Sequence, residues 1–418
     1  MYRVLTIIAI SLLTASAQEK VSLAQIDALV KKNMSELKAA DLRVNQARTQ
    51  KGILLSEFDF QVRATAAADR LLASNNLSTF RFPRGEKEQY STALNVSKNL
   101  FSFGRNTANE KLGFAQILES QIQKKALYRD LLFRARLKYW EVLFQNRSKS
   151  LAIDFEDLRA KEASDAEALF EAGVSSKVDV LQSKVNRLSA QDTVESSELS
   201  LKQSQRDFSS SIGEVEKRFD LEGELSLPTD LDRLFRTTNE MITESLEVDS
   251  LAANNKASKA KIEELEGRQR PELSASGSAG WAASEAQDLE DSYQAGLTVS
   301  WAIFSGKLYK RQQLLEKDNI LANELSMMTE IRERKRKLFR LKDESEILKI
   351  RLKNEEKSMK LSKENYEIAR EQYRAGLLTL TQLSDVNFQW IESQFNYVSL
   401  VYQSQVLREN LLYLNFKK

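Results

Sequence analysis

The chain has 418 residues and a formal net charge of +2 at pH 7, so no overall charge attracts it to nucleic acid or to an anionic membrane surface. It contains neither Cys nor His, which excludes disulfides, thiolate chemistry, imidazole bases and the usual zinc sites. With 13 Gly, 3 Pro and 29 % charged residues, the composition is typical of long helices rather than of an α/β enzyme.

The N-terminus predicts a secretory signal peptide over residues 1–17. A short basic start is followed by the apolar residues 4–13 and by small residues at a cleavage site, Ala15-Ser16-Ala17. The alternative is an N-terminal membrane anchor, but the apolar run is shorter than the roughly 20 residues that span a bilayer. No later segment supplies such a run, so a membrane crossing would need β-strands.

Four segments alternate between apolar and polar residues and predict β-strands at about 57–72, 88–104, 271–283 and 291–304. Polar connections at 75–87 and 283–291 would join them into two hairpins. The alternation fits a transmembrane barrel and equally a half-buried sheet of a soluble protein, and the signal peptide favours the barrel. Four strands cannot close a barrel, and an open edge in lipid is costly, so several chains would share one.

Two segments nearly free of helix breakers follow the strand pairs. Residues 105–170 contain only Gly113, and residues 307–374 contain neither Gly nor Pro, so each predicts a helix roughly 100 Å long at ~1.5 Å per residue. Apolar residues three, four or seven positions apart predict coiled-coil seams. In the first helix they are Leu137, Trp140, Phe144, Leu151, Phe155 and Leu158, and in the second Leu348, Leu352, Met359, Tyr366 and Tyr373.

Matching short sequence segments show that the chain contains an internal duplication. Phe170-Glu171-Ala172-Gly173 and Tyr373-Arg374-Ala375-Gly376 are 203 positions apart, and Leu100-Phe101-Ser102 and Ile303-Phe304-Ser305 have the same offset. We expect Gly173 and Gly376 to take left-handed conformations that end one helix and turn the chain into the next, over residues 175–212 and 379–414.

These residues resemble the TolC-like outer-membrane efflux protein family over nearly the whole mature chain. The resemblance is carried by the duplication, by the two strand-to-helix junctions at 99–104 and 301–306, and by the helix turns at 170–181 and 373–386. Two further segments carry the resemblance. They are Arg270-Pro271-Glu272-Leu273, at the start of the third strand, and the linker from Ile212-Gly213 to Leu227-Pro228.

The resemblance implies a mainly α chain with transmembrane β-strands. Three chains would form one 12-stranded β-barrel in the outer membrane of a Gram-negative cell, four strands each, continuing into a periplasmic α-helical barrel. It divides the chain into a signal peptide (1–17), a first repeat (18–212) with helices at 105–212, a linker (213–232) and a second repeat (233–418) with helices at 305–414. The implied partners are two further copies, outer-membrane lipid, a periplasmic adaptor protein and an inner-membrane transporter.

The resemblance also implies that the helix turns close the pore, with Gly173 and Gly376 at their tips. Alignment on Gly376 places the family's two acidic positions at Gln382 and Asp385, so only one is acidic here. Alignment on Gly173 places a linking carboxylate at Asp179, opposite the phenol of Tyr373. We therefore predict a gate formed by Asp385, Asp179, Tyr373 and Gln382, although solvated helix charge also explains the two aspartates.

Other functions fit the sequence less well. A phosphate-binding loop at Gly306-Lys307 fails because Trp301 stands where the motif requires Gly, and no cofactor is expected. A secreted coiled-coil adaptor or scaffold would explain the helices but not the four alternating strands. The basic run at 332–337 lies on a helix and is followed by acidic residues, so we expect no nucleic-acid partner. The expected cargo is either small molecules or a type I secretion substrate.

Overall fold

The structure is a computed structural model that describes residues 20–70, 88–284 and 288–416. The predicted signal peptide, the predicted connection at 75–87 and part of the predicted connection at 283–291 lie outside these ranges. None of the helices within them combines the length and the apolar character that crossing a membrane requires.

The first half of the described chain contains a two-residue strand, two shorter helices, two long strands and two long helices. In chain order its elements are β1 (Lys20–Val21), α1 (Ile26–Asn33), α2 (Ser35–Ser56), β2 (Gln61–Arg70), β3 (Glu88–Phe101), α3 (Arg105–Glu171) and α4 (Lys177–Ser211). The 67-residue α3 contains one Gly and no Pro, so nothing in its sequence interrupts the helix.

The second half repeats this order. Its elements are β4 (Asp220–Leu221), α5 (Leu231–Glu240), α6 (Leu246–Gly267), β5 (Glu272–Ser284), β6 (Asp288–Ser300), α7 (Leu308–Arg374) and α8 (Leu380–Leu414). Helices α3 and α7 both have 67 residues, and α4 and α8 both have 35. Since α3 and α7 begin 203 positions apart, at Arg105 and Leu308, the predicted internal repeat is confirmed in the fold.

The chain divides into two compact units, and each takes segments from both repeats. The sheet unit comprises residues 38–126 and 243–333. The turn unit comprises the described residues up to Leu37 together with Leu127–Ile242 and Arg334 onward.

The sheet unit contains one antiparallel four-stranded sheet in the order β2-β3-β5-β6. Each hairpin pairs strands of one repeat, and the β3–β5 ladder joins the repeats by pairing residues such as Leu94 with Ala279. The sequence therefore brings two distant segments into one sheet. Strands β2 and β6 form its edges.

The register places the alternating residues of all four strands on matching faces. One apolar face carries Val62, Leu94, Val96, Ala279, Tyr293, Leu297 and Val299. The other carries Arg63, Asn95, Ser97, Ser276, Ser278 and Gln294. In the single chain the large apolar side chains of the first face are mostly exposed to solvent, so the described residues form no layer over this face.

The strand ends differ from the predicted ones. Strand β2 begins at Gln61 because the preceding residues form a turn, in which the N–H of Phe58 donates to the carbonyl of Leu55 over 3.0 Å. The side chain of Phe58 is buried and contacts the guanidinium of Arg105, at 4.9 Å from the ring centre. Strand β6 spans 288–300, so the predicted strand residues 301–304 are not part of it. The alternation of apolar and polar residues continues before the start of β2 and after the end of β6, so it does not reveal where these two strands begin and end.

A cluster of charges holds the start of α3 against the sheet. The guanidinium of Arg105 donates to Glu272 at the start of β5 over 2.7 Å and to Glu57 over 3.1 Å. Asn99 of β3 also donates to Glu272. The corresponding residue of the second repeat is Leu308, an exposed apolar side chain. The two strand-to-helix junctions therefore have the same backbone plan and different chemistry.

The turn unit contains three apolar clusters. The largest packs α1, α3 and α4 together, with Ile26, Leu131, Tyr139, Phe208 and Phe219 among its buried members. The second packs α5 on α7 and α8, and it includes Leu234, Leu341, Leu348, Leu407 and Leu411. The third packs α3 on α7 and α8 beside the helix turns, through Ala166, Tyr366, Tyr373, Leu380 and Leu383.

Candidate functional site

The turn from α3 to α4 is built on a glycine in a left-handed conformation. Gly173 has φ of 74°, and the N–H groups of Val174 and Ser175 donate back to the carbonyl of Leu169 over 2.9 and 3.1 Å. A residue with a Cβ is strained in this region, so glycine allows α3 to end and the chain to reverse. The predicted role of Gly173 as a helix terminator agrees with this geometry.

Asp179 closes the start of α4 with a capping box. The hydroxyl of Ser176 accepts from the Asp179 N–H over 3.2 Å, and the Asp179 carboxylate accepts from the Ser176 N–H over 3.1 Å. The hydroxyls of Ser175 and Ser176 donate to the same carboxylate oxygen. These hydrogen bonds, above all that of the Ser176 N–H, hold the pKa of Asp179 below its usual range.

The turn from α7 to α8 repeats this construction with neutral groups. Gly376 has φ of 73°, and its N–H donates to the carbonyl of Tyr373 over 3.0 Å. Thr379 caps α8, and the amide oxygen of Gln382 accepts from the Thr379 N–H and hydroxyl, each over 3.0 Å. Gln382 lies 203 positions after Asp179, so the two repeats place an amide and a carboxylate at equivalent positions.

The two turns lie side by side within the turn unit. A Cβ added to Gly376 would stand 2.9 Å from a methyl carbon of Val174 in the first turn. Asp165 of α3 accepts from Arg370 over 3.2 Å and from Arg374 over 3.0 Å, both on α7. The Asp165 carboxylate raises the pKa of Arg374. This ion pair fixes the end of one helical hairpin to the end of the other.

Tyr373 lies in the apolar cluster beside the turns, 3 % exposed. Its hydroxyl is buried and has no hydrogen-bond partner among the described residues. Burial, and secondly the charge of Asp179, raise its pKa. The expected hydrogen bond from Tyr373 to Asp179 is thus not formed within one described chain, where the carboxylate accepts from Ser175 and Ser176 instead.

Asp385 is an exposed residue of the first turns of α8. Its side chain makes no hydrogen bond or ion pair with any other residue in the described part of the chain. Its equivalent in the first repeat is Gln182, which is also exposed. The structure therefore places Asp385 on an accessible surface near the second turn, without joining it to Asp179 or Tyr373.

A buried polar network lies close to the predicted gate residues, with Ser384 next to Asp385, and was not predicted. The buried Glu162 carboxylate accepts from Arg159 over 2.7 Å and from the amide of Asn387. Arg159 also donates to Ser384 over 3.2 Å, as does Asn186. Burial is the largest influence on Glu162 and raises its pKa despite the guanidinium beside it.

The sequence does contain a signal that predicts the ion pairs between Asp165 and the arginines of α7. Since the repeat places α3 and α7 in parallel, residues about 203 positions apart lie at similar heights, and Arg370 is 205 positions after Asp165. A search for opposite charges near the repeat offset would have found this pair. Glu162 and Asn387 have no such signal, because they join helices that run in opposite directions.

Together the fold and the paired turns define a class of protein: a four-stranded sheet in each chain, connected to two long helical hairpins whose turns meet. Residues 28–214, a little under half of the chain, match the family described as outer membrane efflux protein. No curated protein matches the chain.

Solved structures of several membrane proteins share this fold. The outer membrane protein VceC from Vibrio cholerae has a TM-score of 0.75 and 15 % identity, with 94 % of this chain and 95 % of that chain covered. A membrane protein from Pseudomonas aeruginosa gives 0.78 and 16 %, covering 95 % and 91 %. The Campylobacter jejuni CmeC outer membrane channel gives 0.73 and 15 %, covering 94 % and 85 %.

The predicted resemblance is confirmed by these comparisons. The family match lies in the first repeat, and the likeness in fold extends over nearly the whole chain. The mainly α fold with a single four-stranded sheet is confirmed as well. Among these proteins, VceC is described as an outer membrane protein and CmeC as an outer membrane channel, which agrees with the predicted class and location.

Proposed function

We propose that the chain is one subunit of an outer-membrane export channel, a homotrimer that carries no cofactor and performs no enzymatic step. The four-stranded sheet is the observation that carries this proposal. Its apolar face is exposed in the single chain, and its edges are strands β2 and β6. Lipid is the environment that favours such a face, and a closed barrel is the arrangement that satisfies both edges.

Three copies supply 12 strands when β6 of one chain pairs with β2 of the next. The opposite face, rich in Ser and Asn, then lines a water-filled lumen, and the apolar face contacts outer-membrane lipid. The helices of the three chains continue as an α-helical barrel in the periplasm. The sheet also favours this proposal over a secreted coiled-coil adaptor or scaffold, which has no need of an exposed apolar sheet face.

The proposed domain division follows the duplication. Residues 1–17 form the signal peptide, residues 18–212 and 233–418 the two repeats, and residues 213–232 the linker between them. Each repeat supplies two barrel strands and one helix turn, so three chains supply six turns. A periplasmic adaptor and an inner-membrane transporter dock at these turns, and the cargo of small molecules or a secreted protein passes through unmodified.

The proposed gate comprises Asp385, Asp179, Tyr373 and Gln382 with the turn residues Gly173 and Gly376. A ring of three Asp385 carboxylates attracts cations into a narrow pore, because like charges held close together bind counterions strongly. Its support is the exposed position of Asp385 beside the second turn. Asp179 and Gln382 keep the turns rigid through their capping hydrogen bonds.

The native mass in detergent and the conductance in planar bilayers test the channel proposal. We expect a mass of three chains and single-channel currents that require the trimer. A soluble protein that stays monomeric without detergent would instead identify a periplasmic scaffold.

Single-channel selectivity tests the gate. We expect Asp385→Ala to reduce the preference for cations, while Gln182→Ala, at the equivalent exposed position of the first repeat, leaves it unchanged. Equal selectivity in the two variants would show that Asp385 is an ordinary solvated helix charge.

A further inference from the structure

The polar face of the sheet, opposite its apolar face, has its positive charge at one position of the described strands. This position is Arg63, the third residue of β2. Its neighbours across the sheet are Asn95 of β3, Ser278 of β5 and Gln294 of β6. The other residues that the register places on this face of the four described strands are neutral or acidic.

The side chain of Arg63 is exposed and has no partner among the described residues. Its guanidinium makes no hydrogen bond or ion pair within the described ranges. The residues beside it on the same face, such as Thr65 and Ser97, are short and do not cover it. Arg105 in the same unit shows the structural alternative, because its guanidinium is largely buried and pairs with Glu272. Arg63 therefore has no stabilising contact that explains it.

Acidic residues of the polar face lie too far along the strands to neutralise Arg63. Asp69 is six residues further along β2, roughly 20 Å at ~3.4 Å per residue. Glu290, the nearest acidic position of β6, is four residues from Gln294, or about 13 Å. Glu272, at the start of β5, is already paired at the junction with α3. The first two separations exceed the Debye length of ~8–10 Å, so the charge of Arg63 remains unbalanced.

The next copy in the proposed trimer adds no acidic residue beside Arg63. Strand β6 of that copy pairs antiparallel with β2, so the end of β6 lies beside the start of β2. The polar-face residues near the end of β6 are Gly296, Thr298 and Ser300, which carry no charge. Threefold symmetry places the three copies of Arg63 at one height on the lumen wall, whatever the tilt of the strands.

A 12-stranded barrel is narrow enough for three such charges to act at its centre. Strands ~4.8 Å apart and tilted by about 40° give a backbone radius of roughly 12 Å. An extended arginine side chain reaches inward from this wall, so its charge lies within about one Debye length, ~8–10 Å, of the axis. The planar guanidinium also matches the geometry of carboxylate and phosphate oxygens.

We infer that the Arg63 side chains of three copies form a ring in the barrel lumen that attracts anions, including the carboxylate or phosphate groups of dissolved cargo. This inference rests on the proposed function and gives the barrel a charge-selective position of its own, separate from the proposed ring of Asp385. The ring concentrates anions and repels cations, because no acidic side chain of the described strands balances it nearby.

Reversal potentials across planar bilayers in a KCl gradient test the ring. In ~0.1 M salt we expect Arg63→Gln to raise the permeability of K⁺ relative to Cl⁻ by about twofold, because the attraction for anions is lost. Arg63→Lys should keep the parent ratio. At ~1 M salt the Debye length falls to ~3 Å, so the difference between Arg63→Gln and the parent should disappear.

Lys98→Gln provides the matched control on the neighbouring strand. Lys98 of β3 pairs with Ala275 and so lies on the apolar face, which contacts lipid in the proposed barrel. Its removal changes the net charge of the chain by the same amount as Arg63→Gln. We expect Lys98→Gln to leave the permeability ratio unchanged, because a charge on the outside of the barrel does not line the lumen.

Chemical modification tests the direction of the side chain, since the chain contains no native Cys. In Arg63→Cys, a cationic methanethiosulfonate reagent added in water should restore the parent permeability ratio. An anionic reagent of similar size should shift the ratio further toward K⁺. Opposite shifts would show that the charge at this position acts, and not the shape of the side chain. Lys98→Cys should respond to neither reagent.

The outcomes separate this inference from the proposed function. All variants are also measured with Asp385→Ala, so that the proposed gate does not mask the barrel. If Arg63→Gln has the mass of three chains and conducts with the selectivity of Lys98→Gln in both backgrounds, the inference is overturned and the channel stands. Equal shifts from the cationic and anionic reagents would also overturn it. If the unmodified protein forms no channel, the proposed function itself fails, and the inference fails with it.

Discussion

At the scale of single residues, the two turn glycines differ in what surrounds them. Both have positive φ, 74° at Gly173 and 73° at Gly376. A Cβ at Gly173 would meet open space, whereas a Cβ at Gly376 would stand 2.9 Å from Val174. The duplicated sequence therefore contains its own control for separating backbone strain from steric contact.

We expect Gly173→Ala to lower the free energy of unfolding by about 1 kcal/mol, the cost of a left-handed conformation for a residue with a Cβ. Gly376→Ala should cost more, because Val174 must also move. Thermal unfolding in detergent measures both. The additional Val174→Ala substitution should remove the difference, and equal losses in the two single variants would show that the turns are not in contact.

Asp179 and Gln382 form the second natural pair at this scale. Hydrogen bonds from Ser176 lower the pKa of Asp179 in the folded chain, so the unfolded chain binds a proton more readily. The stability that Asp179 contributes is therefore present above its unfolded pKa of about 4 and is lost as the pH falls through its lower folded pKa. The stability that Gln382 contributes does not depend on pH in this way, because its amide does not titrate.

We expect Asp179→Gln, which reproduces the second turn in the first, to reduce the loss of stability between about pH 5 and pH 3. At neutral pH the change should cost less than about 1 kcal/mol, because the amide oxygen still accepts the capping hydrogen bonds. Unfolding midpoints measured across this pH range test the expectation. An unchanged pH profile would mean that other carboxylates determine the acid limit.

At the scale of elements, the long helices and their ends could be predicted, and the strand ends could not. Helix α7 contains no breaker and ends at Arg374, two residues before Gly376, so local sequence sets its limits. Phe58 fits the alternation of β2 but lies in a turn, because its ring packs on Arg105, which is 47 positions away. The two-residue alternation shows which side chains lie on the same face of a strand. It does not show where the hydrogen bonding between strands stops.

The geometry of the two helix turns was predicted in part for the same reason. Gly173 and Gly376 carry their conformation in the local sequence, and the structure gives both a positive φ. Asp165, Arg370 and Glu162 act through partners more than 200 positions away, so their charges could not be distinguished from those of an exposed helix surface. These contacts between the two repeats could therefore be found only in the structure.

The junction between the sheet and α3 gives the prediction for this scale. The side chain of Arg105 is 11 % exposed and pairs with Glu57 and Glu272. We expect Arg105→Met to lower the free energy of unfolding by about 2–3 kcal/mol, because charge-assisted hydrogen bonds at a largely buried site are lost and two carboxylates lose their partner. Thermal unfolding measures the loss.

Lys111→Met provides the matched control on the same helix. Lys111 pairs with Glu263 over 2.6 Å, but both side chains are about half exposed. Exposed pairs contribute about 0–1 kcal/mol, so this variant should unfold nearly as the parent does. Similar losses in both variants would show that the junction adds no more than a surface ion pair.

At the scale of the whole molecule, the duplication has not produced two independent domains. The sheet unit and the turn unit each contain segments of both repeats. The β3–β5 ladder joins the repeats in the sheet, and the cluster of Ala166, Tyr366 and Leu383 joins them beside the turns. The covalent link between the repeats is thus a minor part of what holds them together.

Cutting that link should therefore leave the protein assembled. The loop between Gly213 and Phe219 is exposed at Val215, and we expect a protease site inserted after Glu216 to be accessible. After cleavage, a tag on the C-terminus should retain both fragments in detergent and release the first repeat only in denaturant. The reason is that the 12 residue pairs of the β3–β5 ladder and the apolar clusters remain intact. Fragments that separate in detergent alone would show that each repeat folds as its own domain, and the proposed barrel would then have to assemble from hairpins that are independent of one another.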